Sequence, residues 1–415
     1  MRQSKLFTKT IKELPKDETS FNAQALMRAG FIDKVAAGIY AMLPLGYRVL
    51  NKISDIIREE MDAIGGQEIF MPALLPKELW QRTNRWENFD VLFKIMGTDK
   101  KEYALGATHE EIVTPLVKKQ VLSYKDLPVA VYQIQTKFRN ELRAKAGLIR
   151  GREFSMKDLY SFHKSEDDLN EYYKIAQKAY FKIFERFGLL DRTYLTFASG
   201  GAFSKYSHEF QTLAENGEDT IYICDNCDIA INKEIIDEQK KCPNCGNDDF
   251  RVEKAVEVGN IFKLGTRFSK PFGFKFADEE GKQHDVIMGC YGMGPTRVMA
   301  TIVEVHHDDK GIIWPEEVAP YRIHLISLKG KNDPARVAEA AEKIYQDLVK
   351  NGLEVLFDDR ETSAGEKFAD ADLIGCPYRL IVSEKTLAAA SIELKTRKDG
   401  KAELIPLDGV LKKLK

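Results

Sequence analysis

Arg139, Glu141, Arg150 and Phe154 fall within one basic stretch, KFRNELRAKAGLIRGREF (137–154), which holds six basic side chains and two carboxylates around Gly147. Guanidinium forks match phosphate oxygens two at a time, and an aromatic ring offers its face to a flat base, so together they suit a nucleotide. Taken alone, the stretch reads equally well as a solvated charged loop or a ladder of salt bridges. A second arginine follows Gly289, Gly292 and Gly294 in DVIMGCYGMGPTRVMATIVEV (285–305). Pro295 is tolerated at the first position of a helix, which puts Arg297 in the first turn. The helix dipole disfavours a cation there unless a bound anion neutralises it, and phosphate is the natural anion. The run lacks both the Lys-Ser/Thr ending of a nucleotide-binding loop and GxGxxG spacing.

Thr108 and Glu110 in GATHEE (106–111) read either as a helix start with acids in its first turn or as acceptors for an ammonium group. CDNC (224–227) and CPNC (242–245) are separated by 14 residues. Cys224, Cys227, Cys242 and Cys245 at that spacing suit a tetrahedral structural Zn²⁺ site, and a metal-free reduced loop or a redox pair are the alternatives. Cys290 and Cys376 stand apart as expected buried thiols. His306-His307-Asp308-Asp309 reads as the end of a helix rather than as another metal site.

The elements that must position these groups follow from periodicity. Leu50, Ile53, Ile57, Met61 and Ile64 lie at helical spacing, and Gly65-Gly66 ends that helix. QEIFMPALLP continues as a short strand broken at Pro72. Ser165 with Asp168 opens a long helix that runs to Phe187 and stops at Gly188. Strands are expected at VAVYQIQTKFR, REFSMKDLYSFH, NIFKLGTRF, FGFKFAD and HDVIMGC. Their succession without intervening helices predicts an antiparallel sheet with helices on one side, an α+β fold. In the Val129–Glu141 strand, Tyr132, Ile134 and Phe138 form a core-like face; Gln133, Gln135, Lys137, Arg139 and Glu141 form a polar one. On the return strand Arg150, Arg152, Phe154, Met156, Asp158 and Tyr160 share a face, so the site residues of both strands are expected on a single wall. Beyond Trp314-Pro315 a β-α-β-α-β-β order predicts a separate small α/β domain.

The chain has 415 residues, 44% hydrophobic and 30% charged, with a formal net charge of −2. That excludes a polycation, so any nucleic-acid contact must use a local basic patch. There is no apolar run long enough to span a bilayer, and no apolar core of a secretory signal near the N-terminus. Six cysteines in this length make no disulfide scaffold, and the cytosol is the expected compartment.

Read together, these pieces resemble the class II aminoacyl-tRNA synthetases. The second motif of that class matches FRNE (138–141) with RGREF (150–154), and the third matches GMGPTR (292–297). The first, a long helix and a strand with a proline, corresponds to 46–72 with Pro72. Within the class, GATHEE, RGREFSMKDLYSFH (150–163), SHEFQ (207–211), VGNIFKLGT (258–266), GIIWPEEVAPY (311–321) and DDRETSAGEKFADADLIGCPYRLIVSEK (358–385) resemble the bacterial-type prolyl family, in its order and over nearly the whole chain.

The resemblance implies a catalytic domain in two parts, 1–216 and 257–318, a zinc-ribbon-like insertion at 217–256 and an anticodon-binding domain at 319–415. It implies ATP-dependent ligation of L-proline to tRNA(Pro) through prolyl-adenylate, with Mg²⁺ accompanying the phosphates. Arg139 would hold the α-phosphate and the proline carboxylate. Arg150 and Arg297 would hold the outer phosphates, Phe154 would stack on adenine, and Glu141 and Gln211 would complete the ATP site. Thr108 and Glu110 would meet the secondary ammonium, with Phe162, His163 and His208 as the pocket wall. Arg360, Glu366 and Lys367 are the expected anticodon contacts. The large editing insertion that bacterial-type relatives often carry between the second and third motifs is absent, so correction of alanine errors would need a separate trans-editing protein. Dimerisation through the first motif is expected. A catalytically inactive paralogue acting as an RNA-binding or regulatory protein is the rival, and it sits poorly with the presence of Arg139, Glu141, Arg150 and Arg297.

Overall fold

Val129–Phe138, rich in β-branched and aromatic residues, forms a strand paired antiparallel with Glu153–His163. Lys137 stands opposite Phe154, Gln135 opposite Met156 and Gln133 opposite Asp158, so these six side chains share one face. The computed structural model describes every residue except 14–17, 143, 145, 202, 204–205, 331 and 415; Arg143 and Lys145 of the basic stretch thus lie outside the described residues.

This hairpin lies within a nine-stranded sheet. Ile287–Met293 pairs with Glu153–His163, Arg251–Gly265 comes next, and Gly66–Glu68 runs parallel to Val129–Phe138 on the other side. Arg251–Gly265 spans 15 residues and serves three neighbours in succession: Asp219–Cys224, Tyr206–Leu213 and Ile287–Met293. Most pairs are antiparallel, as the unbroken succession of strands predicts; Gly66–Glu68 and the pairing of Ile229–Asn232 with Thr193–Ser199 are parallel. The helix Glu166–Arg186 starts where the Ser165 hydroxyl accepts from the Asp168 N–H. It buries Leu169, Tyr173, Ala176, Tyr180 and Ile183, the 3.6-residue stripe of an amphipathic helix. All these elements belong to a unit made of Val35–Tyr40 and Ile53–Val305.

A second unit comprises Met1–Lys34, Ala41–Lys52 and His306–Lys415. Its sheet has the order Val355–Asp358, Ile323–Leu328, Tyr378–Ser383, Ser391–Thr396, Ala402–Pro406, the first three strands parallel. The helix Pro334–Lys350 and residues such as Leu325, Phe357 and Leu380 build its core. The fifth strand, Ala402–Pro406, has only Ile405 buried, so it shows no alternation that the sequence could reveal. No helix among the described residues is long and apolar enough to cross a membrane.

Candidate active site

A cavity of about 480 Å³ opens over the face that carries Lys137, Phe154, Met156 and Asp158. Here the structure corrects the expected sidedness of the hairpin. Gln133, Gln135 and Lys137 of the polar row are buried, whereas Ile134 and Phe138 of the core-like row are half-exposed and only Tyr132 is fully enclosed. Alternation reveals which residues share a face; what covers that face is decided by the elements that pack on it.

One end of the cavity carries three arginines, Arg139, Arg150 and Arg297. The Arg139 guanidinium lies 5.3 Å from the centre of the Phe154 ring, and its Nε is buried without a hydrogen-bond partner. Burial first, then the nearby charge of Arg297, pulls the Arg139 pKa down. Arg297 follows Pro295 at the head of the helix Pro295–Val305 and donates to the Ile149 carbonyl at 2.8 Å and to Glu257 Oε2 at 2.9 Å. Arg150 is half-exposed and reaches Glu141 at 3.4 Å and Glu218 at 3.7 Å. Arg139, Glu141, Arg150, Phe154 and Arg297 all line the cavity. Of the three glycines before Arg297, Gly289 and Gly292 lie inside the strand Ile287–Met293, leaving Gly294 alone between strand and helix. A Cβ at Gly289 would fall 2.6 Å from the Tyr291 hydroxyl and 2.8 Å from Ser161 Oγ, so that glycine serves packing. Gly292 borders the cavity.

The other end is a buried carboxylate site. Glu110 and Glu111 open the helix Glu110–Lys118 and are both fully buried. Thr108 does not cap that helix; its hydroxyl lies 2.9 and 2.7 Å from the two oxygens of Glu110. Arg85 Nη1 stands 3.1 Å from Glu110 Oε2 and 3.1 Å from Glu111 Oε1. Burial raises the Glu111 pKa, against the pull of Arg85. Alongside, Lys137 Nζ is 2.9 Å from Asp158 Oδ1 and 2.8 Å from His109 Nδ1. An ammonium can only donate, so His109 Nδ1 accepts and Nε2–H donates to the Pro72 carbonyl at 2.9 Å.

Burial, then the charge of Lys137, pushes His109 down to about 4 from the ordinary 6.5. Between those values the unfolded chain binds a proton that the folded chain refuses. The resulting stabilisation, about 3 kcal/mol at most, is complete above the ordinary imidazole pKa and disappears as pH falls toward the folded one. His109→Gln keeps an acceptor and a donor but cannot take up that proton. Its melting temperature is expected to fall less than that of the unaltered chain between about pH 7 and pH 5; parallel slopes would contradict the neutral buried imidazole.

Four expected site residues do not line the cavity. Phe162 shares the face of Asp158 but lies beyond the closed end, packed at 5.7 Å against Phe274 in the core. His163 points to the opposite face and hydrogen-bonds Ser161 Oγ at 2.8 Å. His208 neighbours Glu209 in a strand; Glu209 borders the cavity, so His208 turns away, against Phe197 and the Tyr173 hydroxyl. Gln211 does not border the cavity either; its side-chain amide donates to Glu209 and to Asp219, each at 2.8 Å. Conversely, Arg85, Glu209, Glu257 and Asn260 went unrecognised. Glu209 is pushed up to about 8 by burial and then by Glu257. Glu209 and Asn260 stand within SHEFQ and VGNIFKLGT, so those motifs were a usable signal; Arg85 sits in a segment with no chemical pattern.

The four cysteine sulfurs of the paired motifs all lie within 4.8 Å of one another, and they form the one His/Cys/Asp/Glu cluster among the described residues that is compact enough to hold a metal. Cys290 and Cys376 are buried thiols. In the other unit, Arg360 pairs with Asp358 and Asp370, each at 2.8 Å, and Glu366 is exposed beside Thr362. Both border a cavity of about 400 Å³. Lys367 is turned inward instead: it is 2% exposed and donates to the carbonyls of Ser327 and Asp358. A lysine so placed on the inner face of its helix presents no donor to RNA.

The profile of the tRNA synthetase class II core domain (G, H, P, S and T) matches residues 93–306, and that of the anticodon binding domain matches 323–415. A proline–tRNA ligase of Wolbachia sp. subsp. Drosophila simulans is 40% identical over 422 residues, covering 98% of each chain. One from Exiguobacterium sibiricum is 36% identical and covers 98% of this chain and 97% of its own. That alignment runs over 553 positions, longer than this chain, so part of that relative has no counterpart here. The fold resembles Giardia lamblia prolyl-tRNA synthetase in complex with prolyl-adenylate, with TM-score 0.78 and 22% identity over 93% of this chain and 74% of that one. It likewise resembles Cryptosporidium parvum prolyl-tRNA synthetase complexed with L-proline and AMP, with TM-score 0.76 and 20% identity over 95% and 74%. Full-length identity at this level, through both matched domains, establishes that the chain belongs to the proline–tRNA ligase family of class II synthetases.

Proposed function

We propose that this chain activates L-proline with ATP and transfers it to tRNA(Pro) without editing in cis. The observation that carries this is a single cavity with opposite ends. At one end a guanidinium nitrogen is shared by two buried carboxylates, leaving them one cation short. At the other, Arg139 and Arg297 stand close enough for the charge of one to lower the pKa of its neighbour. A zwitterionic amino acid bridges the two, its secondary ammonium on Glu110 and Thr108 and its carboxylate toward Arg139, with phosphates on the arginines.

The reaction is attack of a carboxylate oxygen on the α-phosphorus, forming the mixed anhydride as the bond to pyrophosphate breaks. It needs positioning and neutralisation of charge more than a proton donor or acceptor. Arg139 serves both carboxylate and α-phosphate, Arg150 and Arg297 the outer phosphates, and Phe154 and Glu141 the adenine. Glu257 and Asn260 offer oxygen donors suited to Mg²⁺, which supplies charge neutralisation when bound with the nucleotide. Arg360 and Glu366 are the anticodon contacts retained in this reading.

The test is ATP–pyrophosphate exchange with proline, with alanine and with no amino acid. Exchange dependent on proline is expected; none with any amino acid, from a folded zinc-replete sample, would favour the inactive paralogue. Apolar differences of this size discriminate only about 10–200-fold per methylene, so alanine should exchange measurably. Residues 214–250 are too few for a further domain, which needs roughly 50 residues. The purified chain should therefore leave Ala-tRNA intact, and efficient hydrolysis would refute the absence of editing in cis.

The Cys224, Cys227, Cys242 and Cys245 cluster is the structural Zn²⁺ site of this reading, because four thiolates leave no open position for chemistry. Metal analysis should find one zinc per chain, and Cys242→Ser should lower both zinc content and melting temperature. A zinc-free chain that melts at the same temperature would count against it. The homodimer and a separate trans-editing protein complete the proposal, the former checked by sedimentation equilibrium.

A further inference from the structure

We infer that Arg85 is a positioning residue: its charge, rather than its packing, holds Glu110 ready for the substrate ammonium. The inference rests on the reading of Glu110 as the ammonium site. Arg85 follows the short helix Lys77–Arg82; Asn84, at φ +57, reverses the chain so that the Arg85 N–H donates back to the Trp80 carbonyl at 3.0 Å. This turn sends the side chain inward, where it is only 5% exposed. The guanidinium lies 4.3 Å from the ring centre of Phe89, 5.0 Å from Phe203, 5.3 Å from Phe268 and 5.4 Å from Trp80. Its Nε and Nη2 have no hydrogen-bond partner; the aromatic faces take that place.

Only Nη1 reaches the acids. It meets Glu110 Oε2 and both oxygens of Glu111, at 3.1 to 3.3 Å. Glu111 is further held by the Thr83 hydroxyl at 2.7 Å and does not border the cavity. Thr108 has one hydroxyl proton to share between the two oxygens of Glu110. Oε1 is thus the oxygen left under-coordinated, with Cys290 Sγ at 3.6 Å. Two consequences follow. Arg85 draws two like-charged neighbours together and so keeps Glu110 turned inward, toward the cavity it lines. Because Glu111 shares the guanidinium, Glu110 retains enough charge to attract a second cation.

Charge and packing are separable by substitution. Arg85→Met fills the aromatic box without charge, whereas Arg85→Lys restores one donor nitrogen able to bridge both acids. In proline-dependent exchange by the full chain, Met is expected to raise KM for proline about 30–100-fold, with KM for ATP within about twofold. Lys should recover most of that loss. Glu111→Gln, which touches no substrate, should raise KM for proline about tenfold by giving Arg85 wholly to Glu110, and it decides the matter should Arg85→Met not fold. The inference is overturned if Met matches the unaltered chain, if Met and Lys behave alike, if KM for ATP rises in step, or if Glu111→Gln leaves KM for proline unchanged. Absence of proline exchange by the unaltered chain would instead refute the functional reading beneath it.

Discussion

Arg139→Met is expected to lower the rate of proline-dependent ATP–pyrophosphate exchange by about 10²–10³-fold, the usual loss when one preorganised donor to developing charge is removed. The effect should fall on kcat more than on KM for ATP, because Arg150 and Arg297, to which the proposed mechanism gives the outer phosphates, are unchanged. Folding should survive: Arg139 Nε bonds nothing in the protein, and methionine can keep the contact with Phe154. Single-turnover measurement of adenylate formation separates this from slow product release. A loss below about tenfold would remove Arg139 from the reacting centre.

Glu110→Gln is the second large effect. Glutamine has nearly the same shape and can still accept from Thr108 and Arg85, so the change isolates the charge. Removing one partner of a buried charge pair costs about 2–5 kcal/mol, or roughly 30- to 5,000-fold in KM for proline. The oxygen analogue of proline, tetrahydrofuran-2-carboxylate, carries no ammonium. It should compete equally weakly against the unaltered chain and the variant. Equal loss of the analogue and of proline would mean that the pocket had collapsed rather than lost a charge.

The arginine end of the cavity was legible because it is local. Arg139 and Glu141 are two residues apart just past the end of the Val129–Phe138 strand, Arg150 and Phe154 lie about the start of the return strand, and Arg297 sits in the first turn of a helix announced by Pro295. Spacing alone places such groups together. The carboxylate end of the cavity was half legible. Thr108 and Glu110 are neighbours in sequence, but the wall expected from Phe162, His163 and His208 depended on strand facing and on where the cavity closes. Arg85 comes from another part of the chain and meets Glu110 through an aromatic box that no local pattern encodes.

The sequence by itself determined the order of elements, the class of fold, the pairing of cysteines into one cluster and the family, because these depend on periodicity, turn chemistry and short-range spacing. Tertiary structure alone decided that the polar face of the central hairpin is the buried one, that Gln211 is taken up by Glu209 and Asp219, that Lys367 points inward, and that one guanidinium is divided between Glu110 and Glu111. The reason is physical. A strand or helix specifies which side chains share a face, while burial and charge balance belong to whatever packs against that face from distant parts of the chain.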